Sequence, residues 1–153
     1  MSEQLLNCPK PLRVLVVDDS DLILQRLVAA LKGIDGIGEV REATNLAQGI
    51  DLWETWNPDL IMLDIMLPDG DGLQLLEFVK KSPSPPVVVV RTNYPYPLLR
   101  KRSAELGAEH FLAKTTELDR LEGIVRDEIE KRGRSLHRDE GDTYGADTYE
   151  GDS

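Results

Sequence analysis

The feature that most constrains this chain is an alternation of two patterns. Three short apolar runs, Val14 to Val17, Leu60 to Leu63 and Val87 to Val90, are rich in branched residues and end in polar ones, as strands buried on both faces do. Two weaker runs fit beside them. Ile37 to Ala43 alternates loosely, like a more exposed strand, and Glu109 to Ala113 follows a Gly107 placed to cap a helix. Between these lie segments of helical period: Ser20 to Lys32, Leu46 to Trp56, Gly72 to Lys81, Leu98 to Leu106 and Leu118 to Lys131. In the first, Leu24, Leu27, Val28 and Leu31 share one face, with Ser20 or Asp21 placed to cap its start and Gly33 its end. Strands that alternate with helices over short connections pair in parallel, because parallel neighbours need a crossover between them. The expected fold is a three-layer α/β domain with a five-stranded parallel sheet.

Length and charge set the limits around that domain. A chain of 153 residues suits one domain and is short for two. With 18 basic against 28 acidic side chains its formal net charge is -10, so a phosphate backbone would repel it and direct nucleic-acid binding is not expected. The longest apolar run, Leu27 to Leu31, is far below the ~20 residues a membrane helix needs, and Met1 to Lys10 has no apolar signal-peptide stretch. No membrane insertion and a cytoplasmic location are expected. Cys8 is the one cysteine; it can form no internal disulfide and, with two distant histidines, no ordinary zinc site. From Gly133 to Ser153 two basic residues stand against six acidic ones, with an Asp-Thr-Tyr near-repeat at 142–144 and 147–149, a composition typical of disorder. The expected organisation is an N-terminal extension at 1–9, the α/β domain at 10–132 and an acidic disordered tail at 133–153.

Open α/β sheets bind ligands just beyond the carboxyl ends of their strands, so the residues after each apolar run carry the functional signal. The first run ends in Asp18 and Asp19, the third in Asp64, and a flavodoxin-like strand order would make these two strands neighbours. Three carboxylates would then crowd one small volume. Like charges at ~4 Å cost about 4 kcal/mol at the effective dielectric of a protein surface, a repulsion that a divalent cation removes, and oxygen-only ligands suit Mg²⁺. Thr92 follows the fourth run and Lys114 the fifth. A hydroxyl and an ammonium at the same edge would complement phosphoryl oxygens.

The segments LVVDDS (15–20), LIMLDIMLPDGDGLQLL (60–76), VVVVRTN (87–93) and HFLAKT (110–115) together resemble the receiver domain of two-component response regulators, particularly single-domain chemotaxis-type and phosphorelay receivers. The intervals agree as well: 45 positions from Asp19 to Asp64, 28 on to Thr92 and 22 on to Lys114. The resemblance covers residues 10–132 and implies a flavodoxin-like, doubly wound (βα)5 fold. It further implies that Asp64 is the phosphoacceptor, taking a phosphoryl group from a histidine kinase or phosphotransfer protein. Asp19 and Asp64 would ligate Mg²⁺ directly, the backbone carbonyl of Met66 would be a third ligand, and Asp18 would act mostly through water. By the same resemblance Lys114 and Thr92 contact the phosphoryl group, Phe111 holds the aromatic switch position, and Met66 and Tyr94 flank the path of the hydrolytic water. Arg100, Lys101 and Arg102 form a basic cluster in a helix that such receivers use for partners. Since no output domain follows, the expectation is a stand-alone receiver that signals by phosphorylation-dependent protein binding.

Several residues depart from the family pattern. Thr115 replaces the usual proline after Lys114, which leaves open whether the intervening bond is cis. Arg91 stands where an apolar residue is usual, and Asn93 where a small one is. Asp69-Gly70-Asp71-Gly72 after Pro68 is a turn: a calcium loop would need glycine where Gln74 stands, and a dinucleotide fingerprint where Leu75 stands. The alternative is a receiver-fold interaction module that is not phosphorylated. A phosphatase using a strand-end Asp nucleophile would usually have a second Asp where this chain has Met66.

Overall fold

The computed structural model describes residues 10–114 and 118–141. Its main sheet is built from β1 (Leu12–Val17), β2 (Ile37–Ala43), β3 (Leu60–Asp64), β6 (Val87–Thr92) and β7 (His110–Ala113). The helices are α1 (Asp21–Lys32), α2 (Leu46–Trp56), α3 (Gly72–Lys80), α4 (Pro97–Glu105) and α5 (Leu118–Gly141). All four strand pairings are parallel, in the order β2-β1-β3-β6-β7. This is the flavodoxin-like doubly wound arrangement, with its topological switch point between β1 and β3.

Alternate residues of the central strands feed two separate cores. Leu15, Val17, Ile61, Leu63, Val88 and Val90 pack beneath α2 and α3 on one face, while Val14, Val16, Leu60, Met62 and Val89 meet Leu24, Leu27 and Leu31 of α1 and Leu121 and Val125 of α5 on the other. Burial on both faces explains why these strands read as uninterrupted apolar runs. β2, at the edge, is largely exposed: Ile37 and Val40 are half-buried, Ala43 is buried and the residues between them face solvent, so the strict alternation of an amphipathic strand is not kept.

Local chemistry sets the helix ends. Ser20, rather than Asp21, is the N-cap of α1, its hydroxyl accepting the Ile23 N–H at 3.3 Å. Gly107 ends the turn after α4 with φ +105°, a conformation open chiefly to glycine. α2 is held from outside as well as by its own Asn45 cap. The Asp69 carboxylate, two strands later in the chain, accepts the N–H groups of Leu46 at 2.7 Å and Ala47 at 3.0 Å. Those two bonds hold its pKa below the ordinary carboxylate value.

Two features depart from the sequence-based expectation. Met66–Leu67 (β4) and Gly70–Asp71 (β5) pair as a small antiparallel ladder inside the loop after β3. The disordered tail assigned to 133–153 is corrected at its start, because α5 continues without a break from Leu118 to Gly141. A segment poor in aliphatic residues still carries good helix formers, here Arg134, Arg138 and Glu140, and an existing helix extends more easily than a new one nucleates. The extension at 1–9 with Cys8, the Lys114–Thr115 bond and the remainder of the tail at 142–153 lie outside the described residues. Among the described residues, no helix is long and apolar enough to cross a membrane.

Candidate functional site

β1 and β3 end side by side, Val17 lying opposite Leu63, so the residue following each pair projects at the switch point. Asp18, Asp19 and Asp64 converge there, with one oxygen of each within 4.8 Å of the others. A cavity of about 400 Å³ opens beside them, lined by these three together with Met66, Tyr94 and Lys114 among others. Asp18 and Asp64 are buried whereas Asp19 is exposed.

Lys114, at the end of β7, bridges the two buried acids: its Nζ lies 2.8 Å from Asp64 Oδ2 and 2.9 Å from Asp18 Oδ2. The other oxygen of Asp64 accepts the Met66 N–H at 3.2 Å. Burial pushes the Asp64 carboxyl above its ordinary value, the Lys114 ammonium opposes this, and the neighbouring Asp18 charge adds to it. Asp64 is thus a buried carboxylate with one cation in contact. Such a group can act as a nucleophile toward an electrophile brought into the cavity with its own charge compensation.

Asp18 is fully engaged. Its Oδ1 accepts the Ser20 N–H at 2.9 Å, which fixes the turn into α1, and its Oδ2 accepts from Lys114 and also from Arg91 Nη1 at 3.0 Å. Arg91 and Asp18 both have 0% side-chain exposure. Arg91 lies opposite Asp64 in the pairing of β3 with β6, and its guanidinium spans the β3 position to reach an acid 73 residues away. Its identity as a charged residue was legible in the sequence. Its partner was not.

The remaining expected residues are placed less uniformly. Thr92 is buried beside the site, and its hydroxyl accepts the N–H of Tyr94 at 2.9 Å. Met66 and Tyr94 are exposed at the cavity wall, and Tyr94 stacks on Tyr96 with ring centres 6.2 Å apart. Phe111 is half-buried and packs against the α2 and α3 side of the core. Arg100 does not stand free with Lys101 and Arg102: its guanidinium lies 4.6 Å from the centre of the Phe111 ring, coupling α4 to β7.

The family model for the response regulator receiver domain matches residues 14–126. The chain belongs to that family. As a receiver domain it is 34% identical over 113 residues to the KDP operon transcriptional regulatory protein KdpE of Escherichia coli, covering 74% of this chain and 49% of that one. It is 33% identical over 108 residues to a protein-glutamate methylesterase/protein-glutamine glutaminase of Koribacter versatilis, covering 70% of this chain and 30% of that one. The receiver domain therefore spans half or less of these two relatives. The crystal structure of a CheY-like receiver domain protein from Methanospirillum hungatei superposes with a TM-score of 0.74 at 25% identity, covering 82% of this chain and 99% of that one. Receiver domains are signalling phosphoacceptors, and the strand-end acids described above lie within the matched region.

Proposed function

We propose that Asp64 of this receiver accepts a phosphoryl group from a histidine kinase or phosphotransfer protein. An Asp64 oxygen attacks the phosphorus of a phosphohistidine, the P–N bond breaks as the imidazole leaves with a proton, and an acyl phosphate is left on Asp64. The observation that carries this reading is the Lys114 ammonium held 2.8 Å from Asp64 and 2.9 Å from Asp18 at the edge of an open cavity. Phosphoryl transfer asks for positioning and charge neutralisation more than for covalent help, and a fixed ammonium beside the nucleophile offers both. Lys114 is positioned to pass from the carboxylate to the phosphoryl oxygens once they arrive.

The donor set is compatible with Mg²⁺: three carboxylates with converging oxygens and no nitrogen or sulfur ligand. Asp19 and Asp64 would hold the ion, with the Met66 carbonyl as the family resemblance implies. Because both oxygens of Asp18 are already bonded, it would contribute through water or through charge alone. Bound there, the ion would neutralise charge on the transferring group.

Thr92 is the proposed reporter. Its hydroxyl oxygen accepts the Tyr94 N–H of its own loop, and turning to donate its proton to a phosphoryl oxygen would draw the β6–α4 connection inward, a differential contact between two states. Phe111, carrying Arg100 on its ring, would transmit the change to α4, where Lys101 and Arg102 are exposed. Output is by protein contact in the cytoplasm. The direct test is acetyl phosphate with Mg²⁺ followed by intact mass and peptide mapping. A single hydroxylamine-labile phosphoryl adduct on Asp64 is expected, and no adduct would leave the unphosphorylated interaction module as the better reading.

The same site implies a long-lived phosphorylated state. Met66 and Tyr94 form the exposed wall of the cavity, and neither positions a hydrolytic water well: a thioether is a weak acceptor and the tyrosine ring fills space. Met66→Asn and Tyr94→Glu are expected to speed decay of the phosphorylated protein, measured by loss of the adduct over time. Unchanged decay in both variants would remove these residues from the account.

A further inference from the structure

Arg91 does not belong to the machinery described so far, and its placement is costly. A fully buried guanidinium must be compensated, and burying an ion pair generally stabilises no better than an apolar pair of the same volume. The strand position it occupies otherwise faces an apolar layer: Val89, two residues earlier on the same face, packs in the core with Met62 and Leu112. Arg91 lies opposite Asp64 on β3 and opposite Leu112 on β7, and its Nη1 reaches Asp18 Oδ2 at 3.0 Å with both side chains at 0% exposure. Asp18, Asp64 and Arg91 therefore form one row across the sheet, with the guanidinium running beneath the carboxylate cluster.

We propose that Arg91 is a resident cation of the phosphoacceptor site that sets its affinity for divalent metal. Formal charges at the cluster are three carboxylates against one ammonium without Arg91, and against two cations with it. A guanidinium stays protonated at any pH the protein meets, so this compensation is permanent. It shares Asp18 Oδ2 with Lys114, at 3.0 Å and 2.9 Å, which leaves that oxygen less available to a metal or its water, and its charge repels an arriving divalent ion from the buried side of the site. The carboxylates are thus kept together without metal, and binding of metal is weaker in exchange. This inference rests on the reading of Asp64, Asp19 and Asp18 as the phosphoacceptor and metal cluster, but it is read out on the unphosphorylated protein.

The experiment is calorimetric titration of Mg²⁺ alone into the full chain, as wild type and as Arg91→Gln, Arg91→Met and Arg91→Lys, with circular dichroism confirming the fold of each. Gln retains a hydrogen bond to Asp18 and Met retains volume, while both lose the charge; Lys retains the charge. The dissociation constant for Mg²⁺ is expected to fall roughly tenfold or more in both neutral variants and to stay within about twofold of wild type in Arg91→Lys. A merely structural role would separate the variants by melting temperature and leave the affinities alike. Equal Mg²⁺ affinity in folded neutral variants would overturn the proposal. So would a result in which neither neutral variant folds and Arg91→Lys does, since the charge would then serve the fold. A wild-type chain that binds Mg²⁺ but gains no adduct from acetyl phosphate would sink the phosphoacceptor reading and leave the Arg91 comparison standing.

Discussion

Asp64→Asn is expected to lose all phosphoryl adduct and to melt higher than the wild-type protein. The first effect follows from chemistry: an amide oxygen is a far weaker nucleophile than a carboxylate, and an acyl phosphate cannot form on it. The second follows from burial. Asp64 is 4% exposed, and its folded-state pKa is raised, chiefly by burial, above the ordinary 3.8. The folded protein therefore retains a proton on Asp64 at pH values where the unfolded chain has already released it. Stability falls as pH rises from about 3.8 through the folded-state pKa, and above that the ionised carboxylate is a constant burden. Asparagine has the same shape and no charge, and Lys114 retains Asp18 as its partner at 2.9 Å. At neutral pH without Mg²⁺ a gain on the order of 1 kcal/mol, or roughly 2–4 °C in melting temperature, is expected. The difference between the two proteins should vanish below about pH 3.8, where both are uncharged at this position. Adduct on Asp64→Asn would displace the nucleophile to another residue, and a lower melting temperature at neutral pH would mean that the Lys114 contact outweighs the desolvation of Asp64.

That burden was visible in the sequence, since an acid directly ending a four-residue apolar run has few reasons to be there except chemistry. The five strands and five helices were legible for a related reason: burial on both faces removes the alternation that would blur a strand, and capping residues mark most helix starts. What escaped the sequence depended on long-range pairing or on very short elements. Nothing near Arg91 points to Asp18, and the ladder between 66–67 and 70–71 is too short for any periodicity. Asp69 reads as a turn residue, yet its carboxylate caps α2 across a loop. The end of α5 was misplaced because charged helix formers and a charged disordered tail have the same composition. Gly70, Gly72 and Gly123 also look alike in sequence, as turn formers or helix residues, and only the structure separates them.

Gly72→Ala is expected to be the most damaging of the glycine substitutions. A methyl carbon at this position would lie 2.2 Å from the carbonyl oxygen of Asp64, 3.0 Å from Ile65 Cα and 3.1 Å from the Asp64 carbonyl carbon. All three are backbone atoms, so no side chain can turn aside. The close approach is also bonded, with the Gly72 N–H donating to the Ile65 carbonyl at 2.6 Å. Relief requires the start of α3 to move away from the end of β3, and the end of β3 is where Asp64 is aimed. A loss of ~2 kcal/mol or more is expected, at the upper part of the overpacking range, together with slower phosphorylation. Gly70→Ala provides the contrast: its added carbon would meet Leu46 Cδ2 at 2.8 Å and Gln74 Oε1 at 3.0 Å, both ends of flexible side chains, so a smaller loss is expected. Gly123→Ala, with nothing within 4 Å, removes a weak helix former from α5 and should stabilise by up to about 1 kcal/mol. The order of melting temperatures, Gly123→Ala above wild type, then Gly70→Ala, then Gly72→Ala, tests whether backbone contact at Asp64 is what the loop glycines serve. A Gly72→Ala protein that melts and labels like Gly70→Ala would show that the phosphoacceptor strand and α3 can separate without disturbing the site.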